Sequence, residues 1–234
     1  MQVSDLPEVV RRLKADFNSH RAPVMDLVAA QTKDPFRILV GTIMSARTKD
    51  ACTAGACERL FARAATPAAL GALSEEEIAQ LIFPVGFFRT KAKMLKRLPA
   101  VLDEKFGGVL PDTVEELCEL PGVGRKTANL VVALGFDKPA ICVDVHVHRI
   151  SNRFGLIKTS TPFETEMKLR EILPKRYWKV WNSYIVAFGQ TRCSPRNPKC
   201  AGCPIAAWCD YGAQIGKKDS PSRLRRQPPL EGAD

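Results

Sequence analysis

Apolar residues recur along most of this chain at the three- and four-residue steps of an α-helix. Phe36, Leu39, Val40, Ile43 and Met44 fall at i, i+3, i+4, i+7 and i+8, which predicts a helix with one stripe turned to a core. Tyr177, Trp178, Trp181, Tyr184, Ile185 and Phe188 form a wider apolar face that Gly189 is expected to end, and an aromatic stripe at helical spacing reads as core rather than as a platform for stacked bases. Three capping boxes mark helix starts: Ser74 with Glu77, Thr113 with Glu116, and Thr161 with Glu164, the last with Pro162 at the first helical position. Arg125 to Leu134 reads as one more helix, closed by Gly135. One stretch breaks the pattern. Ile141, Val143, Val145 and Val147 alternate with Cys142, Asp144, His146 and His148, which by periodicity alone is a half-buried strand. The two histidines there read as hydrogen-bonding residues rather than metal ligands.

At 234 residues and 25.8 kDa the chain can bury one large core or two modest ones, and two lobes are expected. Lysine and arginine number 35 against 25 acidic residues, a formal charge of +10, which suits a polyanionic partner. A signal peptide and an apolar run long enough to span a membrane are both missing from the sequence, so a soluble cytoplasmic protein is expected, with no disulfides among its eight cysteines. Cys52, Cys57, Cys118 and Cys142 are scattered in apolar surroundings and read as buried core thiols.

The other four cysteines sit together as Cys193-x6-Cys200-x2-Cys203-x5-Cys209. Four thiolates in one short loop make a metal site. Zinc is the first candidate for any such set, but zinc ribbons usually carry two Cys-x2-Cys knuckles and this loop has one. Its compact, uneven spacing suits a cubane held in a single wrap, and [4Fe-4S] clusters take four thiolates.

The segment Leu120-Pro-Gly-Val-Gly-Arg-Lys-Thr-Ala-Asn129 carries a different chemistry. Gly122 and Gly124, either side of Val123, permit a tight turn and a close backbone approach to a ligand. The helix that follows presents unpaired N–H groups to an anion, as a nucleic-acid phosphate would require. Such a contact fixes register without reading sequence. Arg125 and Lys126 stand in the first turn, where a cation opposes the helix dipole and its charged form is disfavoured. A free lysine titrates near ~10.4 and must be brought down to roughly 7 to 8, by burial and neighbouring positive charge, to act as a nucleophile. Asp144, in Val143-Asp-Val-His146, is a candidate proton acceptor or stabiliser of a sugar cation, and also a candidate helix cap.

On these residues the chain resembles the endonuclease III family of DNA glycosylases, in the helix-hairpin-helix superfamily, from about Asp26 to Cys209. The 6-2-5 cysteine spacing equals the family's iron–sulfur loop. The resemblance implies an all-α, two-lobed fold: a six-helix barrel lobe over 28–138, a cluster lobe from 1–27 plus 139–212, and a basic, disordered tail over 213–234. It implies a monomer acting on double-stranded DNA that contains damaged bases or abasic sites, in the bacterial nucleoid. Lys126 would attack the sugar of a flipped, oxidised pyrimidine with help from Asp144, then form the Schiff base through which the strand is cut. Gly122, Val123, Gly124 and Arg125 would hold phosphate, and Arg192, Arg196 and Lys199 would form a basic loop positioned by the [4Fe-4S] cluster. The resemblance also implies that Asp144 caps a helix, against the periodicity of its neighbours. Adenine-specific relatives carry a catalytic glutamate in the helix before the first loop, and Pro35 to Met44 has none.

The chain departs from the family in three places. The loop Ser45-Ala-Arg-Thr-Lys-Asp50 has Arg47 where the family usually has a glutamine that fills the gap left by the flipped base. Arginine can stack and donate hydrogen bonds but brings a permanent charge. Val85-Gly-Phe-Phe-Arg-Thr-Lys-Ala92 has Phe87 where many relatives place a leucine wedge, while Phe88 reads as core. Val145 replaces a common threonine beside the aspartate. A second reading of a different class is a damage- or abasic-site-binding protein with little catalysis, for which Arg47 would be the sign; keeping both Lys126 and Asp144 argues against it.

Overall fold

The computed structural model describes residues 1–19 and 23–218. Its regular structure among these residues is helical. After a 3₁₀ turn at Val3–Asp5, the helices are α1 (Leu6–Asn18), α2 (Val24–Thr32), α3 (Pro35–Ser45), α4 (Asp50–Arg63), α5 (Pro67–Ala72), α6 (Glu75–Ile82) and α7 (Phe88–Phe106). The series continues with α8 (Val114–Leu117), α9 (Arg125–Leu134), α10 (Val145–Arg153), α11 (Pro162–Ile172), α12 (Lys175–Thr191) and α13 (Asp210–Lys218). None of them is long and apolar enough to cross a membrane.

Local chemistry explains most helix starts. Asp34 caps α3 by accepting from the N–H groups of Phe36 and Arg37, with Pro35 at the first position. Of the three expected capping boxes, one closes fully: Ser74 and Glu77 each accept from the other's backbone. Thr113 and Thr161 cap their helices from one side only. Glu116 turns to the Thr113 hydroxyl, and Glu164 reaches one residue further back to the N–H of Ser160.

The buried apolar residues form two cores. One runs from Met25 to Ala133 through α2–α9 and takes in Ala140 and Cys142. The other joins Leu6, Val9, Val10 and Leu13 of α1 to residues from Ile141 to Ile205, so the two ends of the chain fold together. Trp178, Trp181, Ile185 and Phe188 of α12 belong to this second core, with Tyr177 and Tyr184 at its margin. Gly189 does not end α12, which runs on to Thr191. It is small because a Cβ there would come within 2.3 Å of His146 Nδ1.

The alternating stretch is not a strand. Ile141, Cys142 and Val143 are all buried, and the chain then turns into α10 at Asp144. Alternation misled because the segment passes between the two cores, where both faces are covered. Of the scattered cysteines, Cys57 and Cys142 are buried, Cys52 is half-buried and Cys118 is exposed at the end of α8. Of the segment expected as a tail, residues 213–218 instead continue α13, whose first turn is held by the Ala213 N–H to Cys209 O bond and by Tyr211 under the Arg153 guanidinium. Residues 219–234 lie outside the described residues.

A buried carboxylate ties the two cores. Glu166 of α11, 3 % exposed, receives Nε and Nη2 of Arg125 at 2.9 and 3.0 Å and Nε of Arg170 at 3.0 Å. Arg170 also donates to the buried Asn129 of α9. A buried charge is tolerated only when so paired, and bidentate guanidinium bonds add direction to the pairing. Glu166→Ala is therefore expected to lower unfolding stability by about 1–3 kcal/mol, read as a lower urea midpoint at unchanged slope. Glu119→Ala, which breaks only the exposed pair with Lys105, should change it by less than about 1 kcal/mol; equal effects would refute the role given to Glu166.

Candidate active site

The hairpin lies between α8 and α9. Gly122 is in left-handed backbone, φ +76°, and a Cβ there would come within 2.8 Å of Met94 Sδ, so its freedom is required both by conformation and by space. Val123 is buried and anchors the turn. Gly124 does different work: its φ is −100° and a Cβ on it would meet nothing within 4 Å, so it leaves an open face at the head of α9. The first intrahelical bond is Ala128 N–H to Gly124 O at 2.9 Å, which leaves the preceding N–H groups to an outside acceptor. The side chain of Arg125 is engaged: its guanidinium is held by Glu166 and lies 5.4 Å from the centroid of Phe163.

Lys126 follows, exposed, on the wall of a cleft of about 590 Å³, a size typical of small-ligand pockets. The burial anticipated for this lysine is not present in the free protein. Asp144 lines the same cleft from the head of α10, where its Oδ1 accepts from the N–H groups of His146 and Val147, both at 2.9 Å. The carboxylate is thereby fixed as a helix cap, and Oδ2 has no partner among the described residues. Val145 beside it is exposed. Arg47 lines the cleft as well. The cleft thus gathers Lys126, Asp144 and Arg47. Phe87 stands just outside it, exposed, beneath the Arg47 guanidinium at 4.8 Å.

Three further polar residues stand at or beside the cleft, and two of them, Asp26 and Lys91, have no role marked in the sequence. Asp26 lines the cleft, and burial raises its carboxyl above the usual range, opposed by a 2.5 Å bond from Ser183 Oγ. His146 also lines it; burial lowers its basicity, and Arg149 Nη2, which can only donate, sits 3.1 Å from Nδ1. Nδ1 is then an acceptor, so the neutral ring carries its proton on Nε2. Lys91, buried behind the loop of Arg47, is pushed down to about 8 by burial. No periodicity or spacing marks Asp26 or Lys91, since each acquires its surroundings from a distant segment, while His146 makes the kind of hydrogen bond expected of it.

Cys193, Cys200, Cys203 and Cys209 all line a second pocket, walled by Phe154, Phe188 and Ile205. Arg153 holds this loop through Cys193 Sγ at 3.3 Å and the carbonyl of Ser194 at 2.7 Å, and Arg149 reaches the carbonyl of Cys193 at 2.9 Å. The Gly212 N–H points to Cys209 Sγ at 3.4 Å. Four soft donors in an apolar recess, with N–H groups turned to their sulfurs, fit an iron–sulfur centre and not a hard cation. Arg196 and Lys199 are exposed on the loop. Arg192 is not available there, because its Nε donates to the buried Asp16 at 2.5 Å and so fastens α12 to α1.

A glycine hairpin, a cleft lysine and a capping aspartate in an all-helical frame define a class of DNA repair proteins, and residues 40–175 match the family model of the HhH-GPD superfamily base excision DNA repair proteins. Residues 193–209, from the first to the last clustered cysteine, match the iron–sulfur binding domain of endonuclease III. Endonuclease III of Thermotoga maritima is 45 % identical over 193 residues, covering 82 % of this chain and 91 % of that protein. A solved non-covalent endonuclease III–DNA complex superposes with a TM-score of 0.81 at 32 % identity, covering 93 % of this chain and 99 % of that one. A trapped endonuclease III–DNA covalent intermediate superposes with 0.76 at 33 % identity, over 90 % and 98 %. The chain belongs to the endonuclease III family: it is a base excision repair DNA glycosylase and abasic-site lyase that carries a [4Fe-4S] cluster.

The two hairpin glycines should respond differently to a methyl group. Gly124→Ala is expected to unfold at the parent temperature yet bind duplex DNA about tenfold more weakly, because its Cβ occupies the open face at the helix head. Gly122→Ala should instead lose about 1–3 kcal/mol of stability through strain. Parent-level DNA affinity in Gly124→Ala would remove the hairpin from the phosphate-binding surface.

Proposed function

We propose that this enzyme removes oxidised pyrimidines from duplex DNA and then cuts the strand through a Schiff base on Lys126. The observation that carries the reading is that an exposed lysine and a half-buried carboxylate, each at the head of a different helix, line one cleft beside an open glycine turn. The turn and the helix N–H groups would hold a phosphate of the damaged strand, and the cleft would receive the flipped nucleotide.

In the first step the Lys126 Nζ lone pair forms a bond to C1′ while the N-glycosidic bond breaks, and the base leaves with its electron pair and takes up a proton. Asp144, fixed by two backbone N–H groups, stabilises the cationic sugar and accepts the proton lost from Nζ. Asp144 then returns that proton to O4′ as the C1′–O4′ bond breaks, which opens the ring and leaves a protonated imine between Nζ and C1′. Loss of a C2′ proton then drives out the 3′ phosphate, and water releases the lysine. When bound, the [4Fe-4S] cluster supplies a structural cross-link. Cys193, Cys200, Cys203 and Cys209 would hold it and so set the loop of Arg196 and Lys199 against the DNA backbone. Arg149 and Arg153 couple that loop to the helix that Asp144 heads. We further infer that the enzyme acts as a monomer on the chromosome in the cytoplasm.

A panel of single-lesion duplexes, incubated with and without later alkali, tests the substrate class. Oxidised pyrimidines are expected to be removed with strand cutting that needs no alkali, and preference for a purine lesion would refute the assignment. Asp144→Asn should lose about 10² to 10⁴ in base removal, and a much smaller loss would leave Asp144 as a cap alone. The purified protein should be brown and contain iron and sulfide, with Cys200→Ser costing solubility because cluster binding and lobe stability are linked; stoichiometric zinc without iron in anaerobic preparations would overturn the ligand assignment.

A further inference from the structure

The loop of Arg47, which lines the cleft, and the loop of Phe87 beside it are built as one piece. Arg47 and Phe87 are 40 positions apart, yet both are non-glycine residues in left-handed backbone, at φ 54° and 58°, and their side chains stack. The backbones meet as well. The Gly86 N–H donates to Thr48 Oγ1 at 3.1 Å, and a Cβ on Gly86 would come within 2.6 Å of the Arg47 carbonyl oxygen. Left-handed backbone at such residues persists only where surrounding contacts over-determine it.

Lys91 supplies those contacts. Its side chain turns back from the first turns of α7, is 6 % exposed, and donates to Met44 O at 2.8 Å, Ala46 O at 2.5 Å and Thr48 Oγ1 at 3.2 Å. α3 ends at Ser45, so carbonyls in its last turn lack helical partners, and the ammonium takes that of Met44 together with the next beyond the helix. Thr48 Oγ1 receives both Lys91 and Gly86, and so joins the two loops through one atom. None of these partners is a carboxylate. Burying a lysine against neutral acceptors is costly for a surface-loop brace, and the arrangement makes sense where loop geometry matters to function.

We propose that Lys91 is a positioning residue that locks the Arg47 and Phe87 loops into a single preassembled wedge, whose two side chains enter the gap left by a flipped nucleotide together. The inference rests on the gap-filling reading of Arg47. Preassembly removes the ordering cost of two long side chains before the duplex arrives. It also makes the contributions of Arg47 and Phe87 interdependent, whereas a lysine that merely joined α7 to α3 would leave them independent.

The test measures removal of thymine glycol opposite each of the four bases by the full chain, by Arg47→Ala, by Phe87→Ala and by the double variant. The same set is made on a Lys91→Met background. Gly86→Ala serves as a second disruption, which forces the loops apart while Lys91 stays in place. In the parent, each single variant should lose about tenfold and the double variant little more than either, a coupling that contact between the groups permits. Lys91→Met and Gly86→Ala should each lose about tenfold and alter the opposite-base ranking, while Lys91→Met keeps the parent yield of borohydride-trapped adduct on preformed abasic DNA at saturating enzyme. Losses that multiply in the parent, or folded Lys91→Met or Gly86→Ala protein with parent rates and ranking, would overturn the inference while leaving gap filling intact. No effect in either single variant would remove the gap-filling reading and the wedge with it.

Discussion

The carboxylate of Glu166 is the hinge of this architecture. It belongs to the second core, is withdrawn from water, and is paid for by two arginines, one of which, Arg125, heads the helix of the hairpin. Generic apolar packing could bring two helical lobes together in many orientations. A bidentate guanidinium pair on a buried carboxylate tolerates few, since misalignment would leave charge unpaired in a medium that solvates it poorly. The cleft inherits that constraint. Lys126 is the next residue after Arg125, and Asp144 heads a helix packed in the same core as α11, so both residues stand on elements that this contact helps to align.

The pairing also bears on the surroundings of Lys126. Arg125 looks from sequence like a phosphate ligand and a positive neighbour of Lys126; in the fold its guanidinium is held by Glu166, which it shares with Arg170. Lys126 itself stands at the head of α9, beside unpaired N–H groups, and loses water when a duplex covers the cleft. An exposed lysine in the free protein suits an enzyme that scans undamaged DNA, because the conditions for covalent chemistry then arise only on a flipped nucleotide. The iron–sulfur loop adds a second remote constraint, since Arg149 and Arg153 carry its position to the helix that Asp144 caps.

The features legible in the sequence were those fixed by local rules. The stripe of α3, the span of α9, the cap residues Ser74, Thr113 and Thr161, and the four-cysteine loop all depend on neighbours within about one turn or one loop. The glycine turn, Lys126 and Asp144 as a candidate cap are also local readings; the resemblance decides for the cap where the periodicity around Asp144 points to a strand that the described residues do not form. That pattern failed where the chain runs between two cores and both faces are covered. Gly189 was taken for a helix end, although its real constraint is His146, 43 positions away. Arg192 and Arg125 were read as free cations because Asp16 and Glu166 are 176 and 41 positions distant. Lys91 and Asp26 carry no signal in the sequence for the same reason: tertiary partners give a polar residue its role, and a single sequence does not record them.

The central claim is that the lysine at the head of the hairpin helix is the group that becomes bonded to the sugar. Peptide mapping of the borohydride-reduced complex with abasic DNA tests it most directly. Digestion and mass spectrometry should find the sugar adduct on Lys126 and on no other amine. An adduct on the N-terminus or on any other lysine, Lys91 included, would contradict the account, whatever the activity of the enzyme.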